Sequence, residues 1–461
     1  MKKYTRFFRL LLAAAFLAIP LEATAQLSGL VCTATGGSGL VPAGTDLIKI
    51  IVDTSEFPDA VCNDESPAVF FARAGSGTGA NRWIIYLPGG GSCTDDDSCA
   101  KRWCKVDTNF SSDKMSSLTM PSGIVGQGIF QSGAPNNAFG NWNVAYVHHC
   151  SSDGFAGSNG SLPFTTTEAI KAEPAGYSYT IHFQGSRIVE AVVRTLRRDV
   201  PPVVYDDEGG VTVTMPDLDD AEVVLLAGSG MGSQGVGHNA DRVGQHLCDN
   251  HVSYDSGTES CDDLDFRAVF DAGVTPSTET LDWGPTTYEQ TMLDRWDVPN
   301  GYMLPIWGAR VDQSCVDFHG GSEGRCADPL HVLHNHIQTP FFAREDMQDS
   351  NGLPWKFGSN LDFAVLTHHG LSRLAYLDHL AEEGSYRSGN PPLTKPGVFG
   401  PQCGDHVALR HGGPFARVKI NIPGRGSFSF HDVLVNWLDG TVPRGVLVDV
   451  PTAPGNLSGC P

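Results

Sequence analysis

Short runs of apolar, often β-branched residues recur along the chain, and turn-forming residues bound each run, which is typical of buried β-strands. The clearest runs are Ile48–Val52, Trp83–Leu87, Asn143–His148, Glu222–Ala227, Ala268–Phe270 and Pro340–Ala343. Two segments, Arg187–Leu196 and Leu361–Leu380, instead space their apolar residues as helices do. In the first, the residues on one face are Ile188, Val192, Val193 and Leu196. Strands alternating with helices predict an α/β fold with a mostly parallel central sheet and helices on both faces.

The same pattern bears on domain organisation. No internal repeat or long linker interrupts the alternation, so we expect residues 26–461 to form a single α/β domain. Asp206–Gly210 and Ser385–Lys395 are polar and rich in turn residues, which predicts surface loops.

The N-terminus has the three parts of a signal peptide. Four basic residues between Lys2 and Arg9 precede the apolar run Leu10–Ile19, and Ala23–Ala25 fits a small-x-small cleavage site. The apolar run is shorter than the roughly 20 residues that a membrane span needs. We therefore expect residues 1–25 to be removed on export to the periplasm or the extracellular space, leaving Gln26 as the new N-terminus. No later segment is apolar enough to predict a membrane span.

Charge narrows the range of partners. The 461 residues include 31 Lys and Arg against 52 Asp and Glu, a net charge of −21, and loss of the signal segment brings it to −24. Such a chain repels phosphate, and no basic stripe offsets this, which argues against a nucleic-acid partner. A hydrophobic content of 41% is too high for a disordered chain.

Twelve cysteines take their meaning from the predicted export. The number is even, and disulfides persist in oxidising compartments. Cys248 with Cys261, and Cys315 with Cys326, are close enough in sequence to close short loops. No C-x-x-C pair is present, so a structural zinc site is not expected.

Glu222–Val243 carries the most chemical information. It reads as a buried strand, a Gly-rich turn and a helix, which is the layout of a nucleophile elbow. Gly228 and Gly232 supply the small residues that the close backbones require. The apex between them should be Ser, and here it is Gly230. The G-x-S-x-G frame is therefore present without its central hydroxyl.

Two other interpretations of this turn compete with the elbow. Gly-rich strand-to-helix turns also bind phosphate, but this one lacks G-x-G-x-x-G spacing, G-K-[ST] and any basic residue. The turn is also consistent with a tight connection that has no chemical role.

Six segments in chain order favour the elbow, because together they resemble the pectinacetylesterase/Notum family of the α/β-hydrolase superfamily. The segments are Trp83–Arg102 (WIIYLPGGGSCTDDDSCAKR), His149–Gly157 (HCSSDGFAG), Phe183–Leu196 (FQGSRIVEAVVRTL), Glu222–Val243 (EVVLLAGSGMGSQGVGHNADRV), Thr339–Asp349 (TPFFAREDMQD) and Gly400–His406 (GPQCGDH). The resemblance implies a secreted carboxylic-ester hydrolase that needs no cofactor or metal.

The resemblance also assigns roles. It places Asp349 at the acid position and His406 at the base position of a Ser-His-Asp triad, where a carboxylate orients a neutral imidazole. The backbone N–H groups of Gly90, Gly91 and Met231 fall at the oxyanion positions. It also suggests a disulfide from Cys93 to Cys150 that would tie the oxyanion loop to the neighbouring strand.

The nucleophile departs from the family pattern, since Gly230 has no hydroxyl. Ser229 or Ser233 is a candidate substitute, although each needs a shifted elbow to meet His406. Alternatively, Asp349 and His406 activate water directly. In the third alternative, the protein is a catalytically inactive pseudo-esterase that binds a carbohydrate or acyl ligand.

Other residues have weaker interpretations. His149 stands where the family usually has Tyr, and Asp271 begins a turn after a strand, so both are expected to line the pocket. His331, His334 and His336 do not share one helical face, and no H-E-x-x-H motif is present, so no metal is predicted.

The substrate expected from this reasoning is an acylated carbohydrate or a small ester. The charge of the mature chain disfavours polygalacturonate unless a local basic patch exists. The sequence leaves the oligomeric state open.

Overall fold

The computed structural model describes residues 44–106, 112–171, 174–197, 213–248, 264–273, 305–320, 336–346, 396–440 and 446–449, with the shorter pieces 27, 30, 32, 326, 332–333 and 349. The predicted signal segment, the predicted helix Leu361–Leu380 and the two predicted loops lie outside these residues. Cleavage of the signal segment therefore stays a prediction.

Ten strands form one sheet in the order β14-β11-β10-β9-β8-β3-β5-β2-β1-β4. The seven strands from β14 to β5 pair in parallel, and the edge formed by β2, β1 and β4 is antiparallel. The strands of this sheet are β1 Leu47–Ile51, β2 Val69–Arg73, β3 Arg82–Leu87, β4 Gly123–Ile124, β5 Asn143–Val147, β8 Val223–Ser229, β9 Asp265–Asp271, β10 Phe341–Arg344, β11 Gly397–Gly400 and β14 Val446–Val448. All six strands predicted from the apolar runs are confirmed.

Two antiparallel hairpins lie apart from this sheet. One pairs β6 (Asn159–Thr165) with β7 (Ser178–Phe183), and the other pairs β12 (Lys419–Ile422) with β13 (Gly426–Ser429).

The described α-helices follow the expected alternation with strands. They are α1 Asp96–Trp103, α2 Gly185–Leu196, α3 Met231–Cys248, α4 Gln313–Phe318, α5 Gly412–Ala416 and α6 Phe430–Leu438. The helix predicted over Arg187–Leu196 is confirmed as α2. None of the described helices combines the length and the apolar character needed to cross a bilayer.

Helices cover both faces of the sheet, as the sequence predicts. Because side chains alternate along a strand, Ile85 of β3 belongs to the core under α2 and α3, and Ile84 belongs to the core under α5 and α6. Neighbouring β8 repeats this division with Leu226 and Leu225. Each buried aliphatic side chain contributes about 1.5–3 kcal/mol. Burial on both faces explains why these strands are continuously apolar.

Disulfides constrain several described segments, among them those that follow β3 and β5. The described pairs are Cys32–Cys104, Cys62–Cys150, Cys93–Cys99 and Cys315–Cys326. The last confirms a predicted pair. The suggested Cys93–Cys150 bridge is wrong, because Cys93 closes a short loop onto α1 and Cys150 bonds the segment before β2 instead. Cys248 is disulfide-bonded, but its predicted partner Cys261 lies outside the described residues.

Candidate active site

The Gly-rich turn has the geometry of a nucleophile elbow. Strand β8 ends at Ser229 and helix α3 begins at Met231, so Gly230 is the single residue between them. Its φ of +57° lies in the left-handed region that favours glycine. A Cβ on Gly232 would overlap the carbonyl oxygen of Leu87, which confirms that the turn needs small flanking residues.

His406 and Asp349 meet on the loops that follow β11 and β10. His406 Nδ1 lies 2.7 Å from Asp349 Oδ2, and Asp349 is buried whereas His406 is 32% exposed. Burial works to lower the pKa of His406, but the hydrogen bond to Asp349 and the charge of Asp349 raise it above its ordinary value, with smaller contributions from Glu345 and Asp271. This pair has the geometry of a base held by its acid.

The other ring nitrogen of His406 faces the elbow. A Cβ built on Gly230 would lie 3.1 Å from His406 Nε2. The next two neighbours, His406 Cε1 and Gly89 Cα, would lie 3.8 Å and 3.9 Å away. Among the described residues, the elbow, His406 and Asp349 therefore stand as the predicted triad requires, and residue 230 lacks the side chain that the triad would use.

Ser229 is committed to a buried network beneath the elbow. Its Oγ accepts a hydrogen bond from the Tyr86 hydroxyl at 2.8 Å and donates to Asp271 Oδ2 at 2.6 Å. Its relative exposure is 0%. The hydroxyl therefore points into the sheet and not toward His406.

Ser233 is also buried, in the first turn of α3. Its N–H donates to the carbonyl of Gly230 at 3.0 Å, and its side chain packs against Gly273. Its hydroxyl has no hydrogen-bond partner among the described residues. The structure thus gives neither candidate serine a contact with the base.

The predicted oxyanion turn abuts the elbow. Gly91 has a φ of +67°, and a Cβ on Gly89 would lie only 2.8 Å from the carbonyl oxygen of Ser229. The carbonyl of Gly90 accepts a hydrogen bond from Arg102 Nη2 at 2.7 Å, which fixes the orientation of this peptide. The turn therefore lies against Ser229 and Gly230 at the start of the elbow, which is where the predicted oxyanion role would require it.

The sequence suggested that His149 lines the pocket, but in the structure it lies behind this turn. Its relative exposure is 0%, and its Nδ1 lies 2.7 Å from the position that a Cβ on Gly90 would take. Burial lowers the pKa of His149 well below its ordinary value, and the nearby cations Arg102 and Lys114 lower it further. Burial also lowers the pKa of Lys114, to about 8. His149 is therefore neutral near pH 7.

Comparison with known proteins now assigns the scaffold. The family model of pectinacetylesterase matches residues 43–204. Over 393 residues the chain is 24% identical to palmitoleoyl-protein carboxylesterase NOTUM of Schmidtea mediterranea, an alignment that covers 83% of this chain and 62% of that protein. It is 34% identical over 137 residues to pectin acetylesterase 11 of Arabidopsis thaliana, 30% of each protein. The chain is thus similar to the pectinacetylesterase family, with the family model matching its N-terminal part.

A solved relative has the same fold. The structure of the Wnt deacylase Notum from Drosophila superimposes with a TM-score of 0.62 at 20% sequence identity, covering 90% of this chain and 99% of that one. The α/β-hydrolase-like architecture predicted from the sequence is thereby confirmed. The chain spans about three fifths of the length of the planarian protein.

Asp271 also lies beneath the site and not on a pocket wall. Its carboxylate is fully buried and accepts hydrogen bonds from Ser229, from the N–H groups of Ala408 and Leu409, and from Arg344. Its carbonyl accepts the N–H of Gly230 at 2.8 Å.

Arg344, at the end of β10, was missed by the sequence analysis. It is 1% exposed, and its guanidinium donates to Asp271, to Asp346 and to the carbonyl of His406. A signal was present, because an Arg that ends an apolar strand within TPFFARED needs buried acceptors.

One group of side chains invites comparison with a metal site. Cys315, His319 and His336 bring potential ligand atoms within 4.8 Å of one another. The sulfur of Cys315 is bonded to Cys326, however, which leaves two imidazoles. Protein zinc sites use three or four protein ligands, so we assign no metal to this group. His331 and His334 lie outside the described residues.

Proposed function

We propose that this protein hydrolyses carboxylic esters and that a water molecule takes the place of the family's serine. The observation that carries the proposal is the clear path from His406 Nε2 to residue 230, where a Cβ would stand 3.1 Å from the imidazole. Loss of a CH₂OH group frees a volume close to that of one water molecule, about 30 Å³. The imidazole is thus placed to hold a water where the serine oxygen of a complete triad would lie.

The reaction follows from this placement. Neutral His406 takes a proton from the water as its oxygen attacks the acyl carbon, and Asp349 stabilises the imidazolium that forms. The backbone N–H groups of Gly90, Gly91 and Met231 stabilise the oxyanion. The imidazolium then returns the proton to the departing alkoxide, which leaves a carboxylic acid and an alcohol without an acyl-enzyme intermediate.

The rate acceleration expected from this mechanism is small. Enzymes that lose a triad residue keep roughly 10³–10⁴-fold acceleration over water, from the oxyanion site and substrate binding. Neither nearby serine is placed to act as the nucleophile. The Ser229 hydroxyl donates to Asp271, and the Ser233 side chain packs against Gly273. We therefore expect slow turnover that depends on His406.

The substrate class is an acylated carbohydrate or another small acyl ester. The two relatives matched by sequence are named as esterases, one of palmitoleoyl-protein and the other of pectin. The disulfides support action in an oxidising compartment, either the periplasm or the extracellular space.

A second candidate function is supported by Gly230 itself, because a family member without the nucleophile is suited to bind an acylated glycan without cleaving it. Binding of acetylated polysaccharide with no release of acetate would select this alternative. Its affinity would not depend on the protonation state of His406.

The test compares acetate release from acetylated xylan and from p-nitrophenyl acetate by wild type and His406→Gln. Glutamine keeps hydrogen-bonding capacity at this position but cannot act as a base. We expect the substitution to reduce the wild-type rate at least about 10-fold. Equal rates in the two proteins would overturn the proposal.

A further inference from the structure

The loop that carries His406 is held from beneath by a buried group of charges. The N–H of Asp405 donates to Asp346, the carbonyl of His406 accepts from Arg344, and the N–H groups of Ala408 and Leu409 donate to Asp271. Residues 405–409, here called the base loop, are therefore hydrogen-bonded to a bridge in which Arg344 joins Asp271 to Asp346.

The same carboxylate holds the elbow. Asp271 Oδ2 accepts from Ser229 Oγ at 2.6 Å, from Ala408 N at 2.9 Å and from Leu409 N at 3.0 Å. Its main-chain carbonyl accepts the N–H of Gly230 at 2.8 Å. One residue thus contacts both segments that the proposed chemistry brings together.

We propose that Asp271 is a positioning residue that sets the base loop against the elbow, so that His406 Nε2 faces residue 230. This inference rests on the proposed function for its catalytic meaning, but the positioning itself can be measured without turnover. Asp271 touches no reacting atom, and it acts through Ser229, Gly230 and the base loop.

Asparagine cannot replace Asp271 in this arrangement, because donors approach both oxygens of its carboxylate. The two carboxylate oxygens of Asp271 accept all four donors, and the Arg344 guanidinium lies 3.0 Å from Oδ1. Asparagine offers one acceptor oxygen and turns an NH₂ group toward donors. In either amide orientation, Asp271→Asn leaves Arg344 or the base-loop N–H groups facing a donor.

The test reads the His406–Asp349 hydrogen bond directly. In the NMR spectrum of the full chain, the proton on His406 Nδ1 should give a low-field resonance, identified by its loss in His406→Gln. We expect Asp271→Asn to broaden or remove it. A change confined to electrostatics would move the pKa of His406 and leave the resonance in place, so retention in a folded Asp271→Asn protein would overturn the proposal.

Asp265→Asn is the matched control. Asp265 begins the same strand at its opposite end and pairs with Arg267. We expect the His406 resonance of Asp265→Asn to equal that of wild type. Loss of the resonance in this control would also overturn the specific role of Asp271. If Asp271→Asn fails to fold by circular dichroism, Arg344→Lys decides the question by the same readout, because lysine cannot bridge Asp271, Asp346 and the His406 carbonyl.

Kinetics separates this proposal from the proposed function. In a hydrolytically active protein, Asp271→Asn should lower kcat by about 100-fold with little change in KM, as misplacement of a catalytic group does. If wild type shows no hydrolysis, the proposed function fails, and the resonance still decides the positioning role.

Discussion

His406 Nε2 lies 3.1 Å from the point where a Cβ of residue 230 would stand, and the residue there is glycine. The rest of the α/β-hydrolase arrangement is assembled around that point. His406 is hydrogen-bonded to Asp349, the predicted oxyanion turn packs against the elbow, and the flanking glycines permit the close approach. Among the described residues, the proposed site therefore differs from the predicted Ser-His-Asp arrangement by the side chain of residue 230.

Restoring that side chain should restore covalent catalysis. Gly230→Ser is expected to raise kcat/KM for p-nitrophenyl acetate at least about 100-fold, because loss of the serine from a triad costs up to roughly 10⁶-fold. Mass spectrometry after rapid acid quench should then find an acetyl group on residue 230. Wild type should show no acetyl group on Ser229 or Ser233. An acetylated Ser233 in wild type would contradict the water mechanism.

The same substitution should reduce stability. Residue 230 has a φ of +57°, where a residue with a Cβ is strained by about 1–2 kcal/mol. The imidazole must also yield slightly to accept a Cβ at 3.1 Å. Urea unfolding should show a similar loss for Gly230→Ser and Gly230→Ala. Equal stability of both variants and wild type would mean that the elbow is not strained in solution.

Hydrolysis should rise with pH as His406 loses its proton. Burial lowers the pKa of His406, but Asp349 outweighs burial, so the midpoint should lie above the ordinary value of about 6.5. Asp349→Asn removes the raising influence and should shift the midpoint of the rate profile downward. A midpoint that Asp349→Asn leaves unchanged would separate Asp349 from the base.

The raised pKa of His406 also links stability to pH. A group whose pKa is higher in the folded state stabilises that state fully below the unfolded pKa, about 6.5, and loses this contribution as the pH rises through the folded value. The stability difference between wild type and His406→Gln should shrink across that window. Urea titrations at several pH values measure it.

Ser229 should matter for stability more than for chemistry. Ser229→Ala leaves the Tyr86 hydroxyl and Asp271 without this partner, and hydrogen bonds to charged groups contribute about 1.5–3 kcal/mol. We expect a lower urea midpoint with kcat reduced by less than about 10-fold, far less than loss of a nucleophile costs. Abolition of hydrolysis in a folded Ser229→Ala protein, together with an acetyl group trapped on Ser229 in wild type, would instead identify Ser229 as the nucleophile.

The sequence predicted what local pattern controls. Apolar runs located the parallel strands, and the G-x-G-x-G frame located the elbow because a tight turn restricts its own residues. The pair Asp349 and His406 came from motif resemblance, and the structure brings these side chains together at 2.7 Å.

What the sequence did not predict depends on contacts between distant segments. Asp271 meets Ala408 and Leu409 across more than a hundred residues, so no local pattern shows that it lies under the site and not on its wall. Cys93 pairs with Cys99 and not with Cys150 for the same reason: pairing follows from where strands place their ends.

The most direct test of the account is the hydrolysis rate of Gly230→Ala beside wild type. Alanine introduces the same backbone strain as serine and places a methyl group where the attacking water should lie, but it adds no hydroxyl. We predict that the His406-dependent release of acetate falls to the level of His406→Gln, while Gly230→Ser exceeds wild type. A Gly230→Ala protein that hydrolyses esters as fast as wild type would contradict a water-filled nucleophile position at residue 230.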